Sequence, residues 1–252
     1  MQRYFIKLAY NGSNYHGWQM QDNAHSVQAE ITDKLSLLLK EKIGIVGCGR
    51  TDTGVHAREF YAHFEILELR LDEKDLIYKL NNFLPSNIVI YDIYKVATDM
   101  HSRFSAISRT YKYYISLNKD PFNDNTSYFF NGELDIEAMR KACKYLYVYT
   151  DFTSFSKLHT QTTTNNCDIQ LAQIELVNSD IVFTIRADRF LRNMVRAIVG
   201  TLIEIGKSKI MPEEMNNIII AKDRSKAGFS VPAHGLFLEK VSYSINQKNN
   251  NY

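Results

Sequence analysis

One segment of the chain concentrates the residue types that could do chemistry. It reads Gly47-Cys48-Gly49-Arg50-Thr51-Asp52-Thr53-Gly54-Val55-His56-Ala57. Its three glycines permit sharp turns and let a ligand approach the backbone closely. Arg50 stands two residues before Asp52, close enough for the guanidinium to pair with the carboxylate or orient it. A carboxylate near an arginine stays ionised, as a nucleophile or a general base must.

The same spacing also fits a glycine-rich turn between strands that carries a surface ion pair. The phosphate-binding patterns G-x-x-x-x-G-K-S/T and G-x-G-x-x-G are absent from the segment. His56 could act as a base, but a histidine after such a turn more often supports the loop through hydrogen bonds. Spacing alone therefore leaves both a structural and a catalytic role open for Asp52.

Strands and helices alternate along the chain in two similar series. In the first half we expect a strand at 3–10, a helix capped by Ser26, a short apolar run at 43–46, a strand at 57–67, a helix from Asp72 to Leu84-Pro85 and a strand at 87–96. In the second half we expect a strand at 109–117, a helix over 135–147, paired strands at 169–177 and 181–187 joined at Asn178-Ser179, helices over about 190–205 and from Pro212, and a strand at 236–244.

This order of elements predicts an α+β fold of two similar lobes with largely antiparallel sheets flanked by helices. The openings of the halves are alike, RYFIKLAYN at 3–11 and RTYKYYISLN at 109–118, which favours an internal duplication. The predicted domains are an N-terminal lobe at 1–106, which carries the glycine-rich loop, and a C-terminal lobe at 107–245. Residues 246–252 are expected to form a disordered tail.

Composition limits the classes of protein that remain. The 30 Lys and Arg residues nearly balance 28 Asp and Glu residues, so the net charge of +2 neither suggests nor excludes a nucleic-acid partner. Three cysteines far apart fit neither a disulfide framework nor a zinc knuckle. The N-terminus lacks the pattern of a signal peptide, and no apolar run approaches the roughly 20 residues that span a bilayer. We therefore expect a cytoplasmic protein with no membrane association.

Three arginines in the second half of the chain could form a basic surface. Arg189, Arg192 and Arg196 have three- and four-residue spacing, which predicts one charged face on the helix over about 190–205. Such a face is normally only solvated, but it could also contact RNA phosphates. Further positive charges with weaker claims follow at Lys207, Lys209, Lys222, Arg224 and Lys226.

The glycine-rich segment GRTDTGVHA resembles the GRTDxGVHA active-site motif of the tRNA pseudouridine synthase A family, the tRNA pseudouridine(38-40) synthases. Other segments resemble the family's motifs in the family's order over nearly the whole chain. They are Tyr15-His16-Gly17-Trp18-Gln19, Ser26-Val27-Gln28, Asn82-Phe83-Leu84-Pro85, His101-Ser102-Arg103-Phe104-Ser105-Ala106, Arg109-Thr110-Tyr111-Lys112-Tyr113, Asp151-Phe152-Thr153-Ser154-Phe155, Phe190-Leu191-Arg192-Asn193-Met194-Val195-Arg196, Ala227-Gly228 and Ala233-His234-Gly235-Leu236. Each later motif is weak alone, whereas the ordered set is specific.

The resemblance implies a fold, an activity and site residues. The fold would be that of pseudouridine synthases, with the active-site cleft between the two lobes. Asp52 would be the catalytic carboxylate, Arg50 its partner that helps to fill the space left by the extruded base, and Tyr111 the residue packed against the target base. Arg192 and Arg196 fall in a family motif, which favours phosphate contact for part of the charged face that they share with Arg189.

The implied reaction converts uridine to pseudouridine at positions 38, 39 and 40 in the anticodon stem-loop of tRNA. The target base would be flipped out of the stem. The carboxylate could attack C1′ of the ribose or C6 of the ring, or could remove a ribose proton, and the sequence does not choose among these. No cofactor and no metal are implied, and the family works as a homodimer.

Three departures from the family pattern and two other classes of protein remain to be weighed. Thr53 replaces the usual alanine, Met20 stands where a basic or polar residue is common, and the segment 157–168 lacks an arginine often found there.

A non-catalytic RNA-binding protein or RNA chaperone would need the basic and aromatic residues but not Arg50-Thr51-Asp52. A hydrolase would need a second acid, for which Asp151 and Asp188 are available.

Overall fold

The computed structural model describes residues 1–157, 163–178 and 180–244, and its chain forms two compact units. The first unit contains Met1–Ile107 together with the C-terminal segment from Leu238, and the second contains Ser108–Phe237. The residues of the last strand from Leu238 onward are thus grouped with the first unit, whereas the sequence analysis assigned them to the C-terminal lobe. The tail at 246–252 lies outside the described residues.

Nine strands and five α-helices are present in the described residues. In chain order they are β1 (Gln2–Tyr10), α1 (Val27–Leu39), β2 (Ile45–Gly47), β3 (His56–Ile66), α2 (Glu73–Phe83), β4 (Ile88–Val96), β5 (Ala106–Ser116), β6 (Tyr128–Phe129), α3 (Ile136–Cys143), β7 (Ile169–Val177), β8 (Asp180–Ala187), α4 (Met194–Gly206), α5 (Glu214–Ala221) and β9 (Leu236–Tyr243). None of the described helices has the length and apolar character needed to cross a membrane.

The first unit contains strands in the order β4-β1-β3-β9. Strand β1 pairs antiparallel with both β4 and β3, and the short strand β2 pairs antiparallel with β3. Strand β1 is buried on both faces, since Tyr4, Phe5 and Ile6 are consecutive buried residues, and much of β3 is buried in the same way. Helix α1 begins after Ser26, whose hydroxyl accepts a hydrogen bond from the Ala29 N–H. Helix α2 begins after Asp72, whose carboxylate accepts one from the Lys74 N–H. Both predicted caps are therefore confirmed.

The second unit is built on the antiparallel strands β5-β8-β7, with β6 parallel to the end of β5. Helix α4 is buried on nearly every side, so it forms the centre of this unit's core. Helix α3 ends at Cys143 and continues as a 3₁₀ helix through Tyr147, which is the end predicted from the sequence. The predicted α+β fold with largely antiparallel sheets flanked by helices is confirmed.

The predicted start of helix α4 was wrong. The sequence pattern placed it near Phe190, but the helix begins at Met194. Asn193 adopts a left-handed backbone conformation with φ 69°, and no α-helix continues through such a residue. Residues 191–194 form a turn instead, closed by a hydrogen bond from the Met194 N–H to the Leu191 carbonyl. The apolar spacing did not reveal this break because Leu191 and Val195 are both buried.

Candidate active site

The glycine-rich segment connects two paired strands of the first unit. Strands β2 and β3 pair antiparallel, with Ile45 opposite Phe64 and Gly47 opposite Ala62. Beyond the ladder, the Cys48 N–H donates to the Tyr61 carbonyl at 2.7 Å. Residues 49–55 form the connecting loop, which we call the catalytic loop after the role proposed for Asp52 below. Its two ends are held at the spacing of neighbouring strands, about 5 Å.

A tight turn fixes the backbone at Asp52. The Val55 N–H donates to the Asp52 carbonyl at 3.1 Å, and Gly54, the third residue of this turn, has φ +79°. Type II turns require such a positive φ at their third residue, which is why glycine is favoured there. The Gly54 N–H also donates to the Tyr15 carbonyl at 3.3 Å. The turn is thereby attached to the segment that follows β1.

Two further glycines allow this segment to lie directly against the catalytic loop. A Cβ atom on Gly17 would lie 2.2 Å from the Thr51 carbonyl oxygen, and one on Gly12 would lie 2.0 Å from the Val55 carbonyl oxygen. Both distances are far below van der Waals contact, so no other residue fits at either position without a shift. The sequence analysis quoted Gly17 in a motif but gave neither glycine a role. Their position just after a strand was the available signal.

Polar side chains complete the support of the loop. The buried His56 ring accepts a hydrogen bond at Nδ1 from the Gly12 N–H at 3.1 Å. The Tyr10 hydroxyl, at the end of β1, lies 2.9 Å from the Thr51 Oγ1 atom. His56 therefore supports the loop, which favours the structural interpretation of this histidine over a role as a base.

Asp52 is half-buried and Arg50 is exposed, so a ligand can reach both side chains. The glycine contacts and the turn restrict the backbone on either side of the carboxylate. A carboxylate held in this way can act as a nucleophile or as a base. The pairing of Arg50 with Asp52 stays a prediction.

Tyr111 lies in the second unit, on strand β5 opposite Ile185 of β8. Its half-buried ring is perpendicular to the Phe190 ring, with the centroids 5.2 Å apart. Edge-to-face pairs are a preferred arrangement of aromatic rings and are worth about 0.5–1.5 kcal/mol. The contact between Phe190 and Tyr111 was not predicted, although both residues fall within motifs quoted from the sequence.

The three arginines assigned to one helix face do not share a helix. Because α4 begins at Met194, Arg189 and Arg192 precede it and only Arg196 belongs to it. Arg192 is exposed, whereas Arg196 is half-buried and donates from Nε to the Val231 carbonyl at 2.7 Å. The prediction that the three arginines share one helix face is therefore wrong. Arg192 is the member of the set most accessible to a phosphate.

The weaker basic candidates have protein partners. Lys207 and Lys209 both contact the Glu204 carboxylate, at 3.4 and 2.9 Å. Arg224 donates to the Gly228 carbonyl and to the Ser230 hydroxyl, each at 3.0 Å. These side chains are engaged in local structure, which weakens their claim to bind RNA.

The two acids considered for a hydrolase also have structural roles. Asp151 accepts hydrogen bonds from the amide and hydroxyl of Thr153 and pairs with Lys222 at 2.9 Å. The Lys222 ammonium, followed by the Thr153 hydrogen bonds, lowers the pKa of the Asp151 carboxyl. Asp188 accepts from the backbone amides of Asp168 and Arg189, both at 2.7 Å. Asp151 therefore does not resemble a proton donor, which needs a raised pKa, and Asp188 is engaged by backbone amides.

A buried histidine links β2 to the loop that carries Arg103. His63 on β3 lies 2.8 Å from the Ser102 hydroxyl, which donates in turn to the Val46 carbonyl at 2.8 Å. Burial, with smaller contributions from the nearby His101 and Arg3, lowers the pKa of His63 from its ordinary value of 6.5 to about 4. The ring is therefore neutral in the folded protein at neutral pH.

We predict a loss of stability on mild acidification that depends on His63. Between pH 6.5 and 4 the unfolded chain binds a proton at this ring that the folded chain does not, so the free energy of unfolding falls as the pH is lowered. The expected loss is about 2 kcal/mol after allowance for solvent screening. His63→Asn keeps an acceptor for Ser102 and should flatten the profile in this window, measured by urea unfolding. Parallel profiles for the two proteins would contradict the assignment.

Metal ligands are not grouped in the described part of the chain. Within it, no three His, Cys, Asp or Glu side chains are arranged to hold a metal ion. Cys48, Cys143 and Cys167 are buried and form no disulfide. Burial raises the pKa of Cys143 and of Cys167 to about 12, so these two stay protonated.

Comparison with known proteins gives one consistent result. Residues 142–244 match a family model described as tRNA pseudouridine synthase. The chain is 54% identical over 243 residues to tRNA pseudouridine synthase A of Parabacteroides distasonis, covering 96% of each chain. It is 50% identical to tRNA pseudouridine synthase A of Bacteroides thetaiotaomicron, covering 96% of this chain and 91% of the relative.

The similarity also extends to a more distant relative. The chain is 40% identical to tRNA pseudouridine synthase A of Clostridium acetobutylicum, covering 96% of this chain and 100% of the relative. The alignments therefore include both units and the catalytic loop, beyond the C-terminal region that the family model matches. The chain belongs to the tRNA pseudouridine synthase A family of isomerases.

Proposed function

We propose that this protein converts uridine to pseudouridine at positions 38, 39 and 40 in the anticodon stem-loop of tRNA, with Asp52 as the catalytic carboxylate. The observation that carries the proposal is the combination of family membership with the presentation of Asp52. Its loop is restricted by Gly12, Gly17 and Gly54, and its carboxylate is within reach of a ligand. Formation of pseudouridine in tRNA is the activity named for the relatives.

The reaction breaks the bond between N1 of the uracil and C1′ of the ribose and forms a bond between C5 and C1′. The detached ring turns between these two steps, and the C5 proton leaves last while N1 gains a proton. Atoms and electrons balance without an oxidant, a reductant or a cofactor. Asp52 would attack C1′ or C6, or would remove a ribose proton, and each role requires the ionised carboxylate.

The target uridine is screened inside the anticodon stem, so the enzyme must extrude it. Unstacking and unpairing one base costs a few kcal/mol. We infer that the ring of Tyr111, in contact with Phe190, packs against the extruded uracil. Arg50, exposed on the catalytic loop, would help to fill the space that the base leaves.

A non-catalytic RNA-binding module is the principal competing function. Such a module needs basic and aromatic side chains, but it has no need for a carboxylate in a loop against which Gly12 and Gly17 lie in close backbone contact. A carboxylate near the RNA backbone would weaken binding through repulsion of phosphates. The support of the catalytic loop therefore favours an enzyme.

The proposal is tested with purified protein and an unmodified tRNA transcript labelled with tritium at C5 of uridine. Release of tritium reports the loss of the C5 proton, and pseudouridine is then mapped along the product. We expect release that maps to positions 38, 39 and 40. Tight binding without release would assign the protein to the binding modules, and release mapped to another arm of the tRNA would overturn the site choice.

We expect Arg192 to contact an RNA phosphate, since it is the exposed arginine of its motif. Arg192→Ala should weaken tRNA binding without changing which uridine reacts. The slope of log K against log salt concentration should fall by about 0.7 to 0.9 for one lost contact. Arg70→Ala, which removes an exposed arginine outside the motifs, is the matched control and should keep the slope. Equal slopes for wild type and Arg192→Ala would show that Arg192 contacts solvent and not an RNA phosphate.

We also propose that the protein works as a homodimer in the cytoplasm, where two subunits jointly bind one tRNA. An L-shaped tRNA is longer than one lobe of the fold, which favours a binding surface shared by two chains. Light scattering in dilute solution should give twice the monomer mass of 29.2 kDa. A fully active protein with only the monomer mass would refute the dimer.

A further inference from the structure

A pocket in the first unit adjoins the catalytic loop without including Asp52. Its volume is about 190 Å³, and it is lined by Trp18, Gln19, Gln28, Ile45, Val46, Gly47, Gly49, Arg50 and Arg103. A cavity of about 150 Å³ is large enough to hold a benzene ring. The pocket can therefore take one planar six-membered ring. Its lining shares Arg50 with the residues assigned to the target base but contains neither Asp52 nor Tyr111.

The lining has the chemistry of a nucleotide site. Trp18, Ile45 and Val46 give an apolar wall, while Arg50 and Arg103 supply two positive charges. Gln28 is committed to the protein, because its oxygen accepts from Gln19 and from the Met20 amide and its nitrogen donates to the Ile45 carbonyl.

Gln19 keeps hydrogen-bonding capacity for a ligand. Its side-chain nitrogen donates one hydrogen bond to Gln28, at 3.0 Å. Its side-chain oxygen has no partner among the described residues, so that oxygen and the second N–H can meet the edge of a base. A base edge carries both donors and acceptors, which one amide can pair with at once.

Gly49 leaves space at this pocket that the fold itself does not require. In the glycine-rich segment, Gly47 is needed because a Cβ atom would lie 2.4 Å from Trp18 Nε1, and Gly54 is needed for its positive φ. A Cβ atom on Gly49 would meet nothing within 4 Å, and its φ lies outside the left-handed region. Neither packing nor backbone geometry explains why residue 49 is a glycine. Close approach of a ligand to the backbone would explain it.

We propose that this pocket binds one nucleobase of the substrate RNA, from a nucleotide next to the target uridine. Its phosphate would face Arg50 and Arg103, and the RNA backbone would pass over Gly49. The Cα atoms of Arg50 and Asp52 are at most about 7 Å apart, which corresponds to roughly two stacked nucleotides. The assignment rests on the proposed function and extends it, because the pocket holds a base that does not react.

The test uses tRNAs with one target uridine in which each flanking base in turn is removed, leaving its sugar and phosphate. Loss of the base that the pocket holds should lower kcat/KM of the wild-type protein about tenfold, or about 1.4 kcal/mol, within the range for stacking of one base. In Val46→Trp the new ring fills the pocket, so intact tRNA should show the same tenfold loss. Removal of the base should then cost nothing more.

Two variants keep the result interpretable. Leu67→Trp adds the same ring at an exposed position of the first unit outside the pocket and should behave as wild type. Gly49→Leu adds a side chain at the same pocket, where its Cβ atom would meet nothing within 4 Å, and should reproduce the losses of Val46→Trp if that variant folds poorly. The assignment would be overturned if removal of the base lowered kcat/KM of Val46→Trp by the same factor as that of the wild-type protein. No product from the wild-type protein on intact tRNA would instead overturn the proposed function and the pocket's role with it.

Discussion

Asp52→Asn should lower pseudouridine formation by about 10⁴-fold or more, the scale of effect seen when a catalytic nucleophile is removed. The amide has nearly the size of the carboxylate, so the turn to Val55 and the contacts of Gly17 and Gly54 should be kept. Neither attack on carbon nor proton removal is available to a neutral amide. tRNA affinity should be unchanged or slightly higher, because Arg50 is no longer neutralised.

Tritium release and filter binding should be measured on the same preparation of Asp52→Asn. Asp33→Asn is the matched control, since it removes an exposed carboxylate of helix α1 in the same unit. It should release tritium at the wild-type rate. Release by Asp52→Asn within a few-fold of wild type would show that another residue is catalytic.

Gly17→Ala should damage both the fold and the reaction, although residue 17 has no reactive group. The added Cβ atom would lie 2.2 Å from the Thr51 carbonyl oxygen, and the backbone at Gly17 has φ +84°. Strain at a positive φ and overpacking together should cost about 2–4 kcal/mol of the free energy of unfolding. Where the chain still folds, displacement of Thr51 by about 1 Å should lower kcat/KM about 100-fold.

Gly44→Ala is the matched control for Gly17→Ala. A Cβ atom at Gly44 meets nothing within 4 Å, and its φ is not positive. The substitution should be neutral or stabilise the protein by about 0.4–1 kcal/mol, because it restricts the unfolded chain. Thermal unfolding and steady-state kinetics of the two variants give the comparison. Equal stability and activity of Gly17→Ala and wild type would refute the contact between Gly17 and the catalytic loop.

Local signals in the sequence predicted most elements of the fold. The caps at Ser26 and Asp72 were found because their side chains act on the helix that immediately follows them. The strands were found from alternating apolar residues and the turns between them. The start of α4 was missed because the break depends on the backbone angle of Asn193, while apolar residues continue on both sides of it.

The candidate site was predicted only in part. The catalytic loop stood out because several unusual residues are close together in the sequence. Its support by Gly12, the contact of Tyr111 with Phe190, and the pocket that joins Gln19 to Arg103 depend on residues distant in the chain. A single sequence carries no direct signal of such contacts. The prediction of one charged helix face was wrong for a related reason. Residue spacing indicates a shared face only where the residues all lie on one helix.

The most direct test of the central claim is pseudouridine mapping of tRNA from cells that lack this protein, with and without a restored copy. We expect pseudouridine at positions 38, 39 and 40 to disappear in the deletion strain. It should return with the wild-type copy but not with the Asp52→Asn copy at equal abundance. Persistence of pseudouridine at all three positions in the deletion strain, or full restoration by Asp52→Asn, would contradict the account.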